Sequence, residues 1–214
     1  NPADWNASIS GSWTWNSIAS GVDVGWTSIA IDTNDDVHIA FYDTIGDGLH
    51  YVTDTLGSFV ASNLMDISDA GGISLDIAVS PITDEPGISY LNAHSDDLEY
   101  KVYDGSSWST TVVHTSGSVG RYNSLVYDSQ GSAHISYEKN QADDLWYATD
   151  ATGSWVTKGI HESSSSIGIY TAIAVDINDD LHIAYRHNSG LDLYHATVQG
   201  LSLIHISEPT RPSK

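Results

Sequence analysis

Short apolar runs separated by clusters of Gly, Asn, Asp, Ser and Thr recur along almost the whole chain. Ile29-Ala30-Ile31 leads through Asp32-Thr33-Asn34-Asp35-Asp36 into Val37-His38-Ile39-Ala40-Phe41-Tyr42. Runs this short, rich in Ile, Val and Tyr and bounded by residues that tolerate positive φ, predict β-strands joined by tight turns. The hairpin returns as Ile77-Ala78-Val79-Ser80 through Gly87-Ile88-Ser89-Tyr90, as Leu125-Val126-Tyr127-Asp128 through His134-Ile135-Ser136-Tyr137, and as Ile173-Ala174-Val175-Asp176 through Leu181-His182-Ile183-Ala184-Tyr185. Positions 32, 80, 128 and 176 fall 48 residues apart, and so do 38, 86, 134 and 182, which read His, Pro, His and His. A third strand follows in each copy: Leu49-His50-Tyr51, Leu98-Glu99-Tyr100, Leu145-Trp146-Tyr147 and Leu193-Tyr194-His195. Gly57-Ser58-Phe59, Gly105-Ser106-Ser107-Trp108 and Gly153-Ser154-Trp155 then open a fourth.

The first two strands of each copy are apolar on both faces, which predicts sheets sandwiched between neighbouring sheets. Small residues at Ala40, Ser89, Ser136 and Ala184 favour close approach. Four-stranded sheets stacked in this way predict an all-β fold, a β-propeller of four visible blades over residues 1–200; a β-sandwich is the competing architecture. The fourth copy lacks its Gly-Ser-Trp strand, and Gly11-Ser12-Trp13-Thr14-Trp15 near the N-terminus is expected to complete it and close the ring.

Composition narrows the partners. Among 214 residues, 28 are acidic and 7 basic, for a net charge of −21. Such a surface repels phosphate backbones and argues against a nucleic-acid partner. There is no cysteine, which removes disulfides, zinc–thiolate sites and cysteine nucleophiles. No apolar run approaches the ~20 residues of a membrane helix, so no membrane insertion is expected. Asn1 is not a natural start residue, which leaves room for a secretion signal upstream, and an extracellular or cell-surface location is expected. Residues 201–211, Leu201-Ser202-Leu203-Ile204-His205-Ile206-Ser207-Glu208-Pro209-Thr210-Arg211, resemble a translated sequencing-library adapter. Residues 201–214 are therefore expected to be a non-native tail, and the chain a fragment of a longer protein.

The hairpin SIAIDTNDDVHIAFYD, repeated as AIAVDINDDLHIAYRH, resembles secreted microbial propeller repeats of the Asp-box, sialidase-like and fucose-binding lectin kinds. The resemblance covers residues 5–200, and implies fold more than activity. Thr149-Asp150-Ala151-Thr152-Gly153-Ser154-Trp155 and Thr53-Asp54-Thr55-Leu56-Gly57-Ser58-Phe59 follow the order of an Asp box with altered spacing, and an Asp box is structural. A sialidase site implies three arginines on the substrate carboxylate, whereas only Arg121 and Arg186 lie outside the tail.

Three constellations remain. His38, His134 and His182 share a repeat position and are expected to bond turns, because equivalent positions on different blades do not converge on a metal. Asp32, Asn34 and Asp36, and likewise Asp176, Asn178 and Asp180, space three oxygen side chains as a calcium loop begins. The glycine and later carboxylate of such a loop are absent, so a hairpin turn is the favoured reading and no cofactor is expected. Finally, Trp26, Tyr122 and Tyr170 share one position just before the first strand, where the second copy has Ser74. The loops between second and third strands, with Asp43, Asn92, His94, Glu138, Asn140, Arg186 and His187, are expected on the same face. Aromatic rings beside hydrogen-bonding side chains suit sugars, and wedging between blades is the structural alternative. Trp26, Tyr122, Tyr170, Arg121, Arg186, Asn92 and Glu138 are thus the candidate ligand residues. The leading reading is a non-catalytic extracellular propeller that binds glycans or another surface ligand. The rivals are a glycoside hydrolase lacking part of its site and a structural or adhesive repeat.

Overall fold

The computed structural model describes residues 14–59, 65–68, 72–140, 144–162, 167–188 and 190–198. These form four antiparallel sheets. Unit one holds β1 (Val24–Ile31), β2 (Val37–Asp43), β3 (Gly48–Thr53) and β4 (Met65–Ser68). Unit two holds β5 (Gly72–Val79), β6 (Pro86–Asn92), β7 (Asp97–Tyr103) and β8 (Trp108–His114). Unit three holds β9 (Val119–Tyr127), β10 (Ala133–Lys139), β11 (Asp144–Thr149) and β12 (Val156–His161), and unit four β13 (Ile167–Val175), β14 (Leu181–His187) and β15 (Asp192–Val198). Each sheet is a meander in chain order.

The core lies between the sheets. Leu49 and Tyr51 of unit one pack with Leu75, Ile77 and Tyr90 of unit two. Leu98 and Tyr100 of unit two pack with Leu125, Ile135 and Tyr137 of unit three. Leu145 and Tyr147 of unit three pack with Ile167, Ile173 and Ile183 of unit four. The first strands β1, β5, β9 and β13 run close beside one another, whereas the fourth strands barely touch, so the sheets splay outward from a shared line of first strands. Side chains join that line. Asp76 accepts hydrogen bonds from Ser28 Oγ at 2.6 Å, from Ser124 Oγ at 3.1 Å and from the Leu125 N–H at 2.8 Å. At the fourth strands, Trp108 meets Tyr51 edge-on at 5.0 Å and Trp155 meets Tyr100 at 5.1 Å. The tryptophan of the Asp-box-like segment is therefore a wedge between neighbouring sheets.

The repeat position of the histidines differs from the even 48-residue count. Ile31 pairs with Val37, Tyr127 with Ala133 and Val175 with Leu181, but Val79 pairs with Pro86. The turn of unit two is one residue longer, so Gly87, rather than Pro86, stands where the others have His38, His134 and His182. Two further residues change with it. Asp54 Oδ1 accepts the Val37 N–H at 2.6 Å and Asp150 Oδ1 accepts that of Ala133 at 2.8 Å. Pro86 has no N–H to give, and Tyr103 replaces the acid opposite it.

The segment expected to close the ring lies only partly within the described residues. Thr14–Ile18 carry no strand, and among the described residues β15 pairs with β14 alone. Residues 11–13 and the suspected tail, 201–214, lie outside the described residues. Among the described residues no sheet covers the outward faces of the first and last sheets: Ile29 and Ile31 are each 62% exposed and Leu193 82%, where Ile77 and Leu145 are buried. Burial on both faces, expected for every copy, thus holds only where a neighbouring sheet is present.

Candidate functional site

The shared aromatic position sits in a recurring irregularity of the first strand. Pairing with the second strand slips between Val24 and Thr27, between Ile73 and Asp76, and between Ile169 and Ala172. It slips in β9 as well, opposite Ser136–Lys139. Within these bulges Ser74, Tyr122 and Tyr170 have φ of 54°, 48° and 54°. A left-handed backbone at a tyrosine costs about 1–3 kcal/mol and is held only by its surroundings. Here the Tyr122 N–H donates to Ser74 Oγ, and the Tyr122 carbonyl accepts from Thr171 Oγ1 at 2.7 Å. Gly168, two residues before Tyr170, has φ of 85°, and a Cβ there would meet the Leu145 backbone at 2.8 Å. The chain therefore needs glycine to pass so close.

The bulges turn the rings out of the sheets. Tyr122 and Tyr170, from adjacent units, lie with ring centroids 4.5 Å apart at 52°. Tyr170 is 60% exposed, while Tyr122 is half-buried. Burial and the neighbouring Tyr170, then Glu138, push the Tyr122 hydroxyl pKa up, against a smaller opposing pull from Arg121. Arg121 is exposed and lies in register with Glu138, which is 2% exposed. Arg121, Tyr122, Glu138 and Tyr170 are thus brought together.

The remaining candidates lie elsewhere. Trp26, 45% exposed, tilts against Tyr42 at 6.3 Å, with Ser74 of unit two at the repeat position between it and Tyr122. Asn92 is buried and its amide is used: Nδ2 donates to Glu99 Oε1 at 3.0 Å and Oδ1 accepts the His94 N–H at 2.9 Å. Arg186 is half-buried, opposite Ile169. The register places the loops after the second strands at the same end of the sheets as these aromatics, since Val24 pairs with Asp43, Gly72 with Asn92 and Ile167 with His187.

The calcium-like spacing is used by turns. Asp32 Oδ1 accepts the Asn34 and Asp36 N–H groups at 2.8 Å each, and Asp176 Oδ1 accepts those of Asn178 at 2.8 Å and Asp180 at 3.0 Å. Those N–H bonds hold the Asp176 carboxyl below its usual pKa. Among the described residues no three His, Asp or Glu side chains are grouped to hold a metal. The histidines continue these turns inward. His38 bonds Asp32 at 3.3 Å and the Tyr51 hydroxyl at 2.5 Å, and His134 bonds Asp128 at 3.2 Å and Tyr147 at 2.6 Å. His182 meets His195 instead, at 3.1 Å.

Sequence reading missed the consequences of Gly87. The Tyr127 hydroxyl of unit three lies where a Gly87 side chain would begin, and it bonds the Tyr100 hydroxyl. A glycine breaking a run of histidines was the available signal, hidden by the longer turn.

No family model matches the sequence, and no curated protein matches it. Solved structures do. A mutant Aleuria aurantia lectin in complex with Fucα1-6GlcNAc is similar over 82% of this chain and 58% of its own, at 14% identity and a TM-score of 0.56. The chain has a propeller-like fold. An α-L-arabinanase from Penicillium chrysogenum, complexed with arabinobiose, matches over 82% of this chain and 62% of its own, at 10% identity and 0.58. A Hadza microbial sialidase matches over 83% and 45%, at 10% identity and 0.57. The chain spans less than two thirds of the length of each of these propeller-like neighbours, and identities this low speak for the fold alone.

Proposed function

We propose that the chain is a non-catalytic, extracellular glycan-recognition propeller, and that its ligand face is centred on Tyr122 and Tyr170. The observation that carries this reading is the pair of rings from adjacent units, turned outward by left-handed bulges and 4.5 Å apart, with Arg121 alongside. Backbone strain of this kind clusters at ligand sites. Two tilted rings offer a sugar's C–H face a surface to stack on, and Arg121 offers donors to its hydroxyls. Lectin, arabinanase and sialidase neighbours support a carbohydrate-related role. Binding is favoured over a sialidase-like activity because a sialidase site implies three arginines, and only Arg121 and Arg186 lie outside residues 201–214. The net charge of −21 suits a protein kept soluble in a salty exterior.

A glycan array probed with the intact chain is expected to show binding that Tyr170→Ala and Tyr122→Ala weaken by at least tenfold, about 1.4 kcal/mol. Binding that survives both changes would remove this face. Turnover of aryl sialosides or arabinofuranosides by the purified chain would overturn the non-catalytic reading.

A further inference from the structure

We propose that a cleft between units one and two, at the turn end of the sheets and opposite the Tyr122–Tyr170 face, is a second ligand site, for an amino sugar. The cleft has a volume of about 490 Å³, within the range of small-molecule sites. It is lined from unit one by the Asp32–Asp36 turn, His38 and Tyr51, and from unit two by Glu85, Pro86 and Tyr103. Its existence follows from the departures of unit two. Between units two and three, Tyr127 reaches across and fills the space beside Gly87. Between units one and two, His38 stands where unit two has Gly87, bonds the Tyr51 hydroxyl and forms part of the cleft wall. Pro86 and Tyr103 then supply an apolar and aromatic wall where units one and three have a backbone N–H and an aspartate.

The chemistry of the ligand follows from which polar groups are already committed. Asp32 is held by its turn and by His38. Asp84 receives the Thr33 N–H at 2.9 Å and the Thr33 hydroxyl at 2.6 Å. Asp36 and Glu85 are half-buried, and their carboxylates make no hydrogen bond among the described residues. Desolvation raises the Glu85 pKa, against a smaller opposing pull from His38 across the cleft. No lysine or arginine lines the cleft. Two acceptors on opposite walls, with Tyr103 beside them, favour a ligand carrying hydroxyl donors and one positive charge. A sugar acid is repelled by the same walls. This inference does not depend on the aromatic face.

The test is calorimetry or saturation-transfer NMR on the intact chain at about pH 6, with glucosamine, glucose and glucuronate as probes. Glucosamine should bind more tightly than glucose by about fivefold, the scale of one partly exposed ion pair, and glucuronate should not bind. Glu85→Gln and Asp36→Asn should each reduce the preference, and together abolish it, with the melting temperature as a check on folding. Tyr170→Ala should leave it unchanged. Equal affinity for glucosamine and glucose, or a preference that survives the double substitution, overturns the proposal. So does a preference lost with Tyr170→Ala, which would move the amine to the aromatic face.

Discussion

Leu145 of unit three and Leu193 of unit four occupy the same place in their sheets, opposite Glu138 and Arg186 of the preceding strand. Leu145 is 0% exposed and Leu193 is 82% exposed. The two leucines share their pairing on one side, while β12 flanks Leu145 on the other and β15 pairs with β14 alone among the described residues. Leu145 has Ile167 and Ile173 of the next sheet against it, and Leu193 has no such neighbour among the described residues. A propeller-like repeat therefore stabilises itself across units rather than within them, and the same side chain counts for much or little according to what stands beside it.

The largest effect should come from testing that contrast directly. Leu145→Ala is expected to cost about 2–5 kcal/mol by urea denaturation, the range for a buried leucine. Leu193→Ala should stay within about 0.5 kcal/mol, as for an exposed residue. A cost above about 2 kcal/mol at Leu193 would show that its face is covered in solution.

Gly87→Ala sharpens the contrast between unit two and its neighbours. The added Cβ would come within 2.0 Å of the Tyr127 hydroxyl and 2.8 Å of that of Tyr100. Overpacking of this kind costs about 1–3 kcal/mol, and the double change Gly87→Ala with Tyr127→Phe should recover part of it. If the single change is neutral, the two sheets yield at this contact more readily than a close-packed interior does.

Of comparable size is the comparison of two histidines. His134 is fully buried between Asp128 and Tyr147. His134→Ala would leave both partners unsatisfied, at about 1–3 kcal/mol. His182, with a side chain 41% exposed, leaves its partners to water, so His182→Ala should cost well under half as much. Equal losses at the two positions would show that the last sheet is as enclosed as the third.

The smallest effect is on pH dependence. Burial lowers the His134 pKa from its ordinary 6.5, outweighing the pull of Asp128 in the other direction. As pH falls through that value the unfolded chain takes up a proton that the native chain still refuses, so stability is complete above it and declines below. Thermal melts between about pH 7 and pH 5 should show this decline, and it should be shallower in His134→Asn. An unchanged slope would mean that the imidazole gains solvent before the protein unfolds.

The repeat, the strand pattern and the turn residues were all legible in the sequence, because alternation and glycine or aspartate punctuation are local properties. So was the shared position of Trp26, Tyr122 and Tyr170. That Tyr122 and Tyr170 lie against each other while Trp26 stands beside Tyr42 was not legible, although Ser74 was, since it depends on how the bulges of neighbouring units sit side by side. The count of 48 residues misplaced the unit-two histidine position on Pro86, because one extra turn residue shifts the register without disturbing the pattern that follows.

What the sequence determined by itself is therefore the sheet: which residues form strands, which face inward, and how often the motif recurs. What the tertiary structure alone decided is the space between sheets. Tyr127 fills the space beside Gly87, a cleft stays open beside Glu85, Leu145 is covered and Leu193 exposed, and two rings distant in sequence meet at 4.5 Å. The reason is physical: strand formation and turn geometry are set by neighbours a few residues away, whereas burial depends on atoms brought alongside by another unit about 48 residues on.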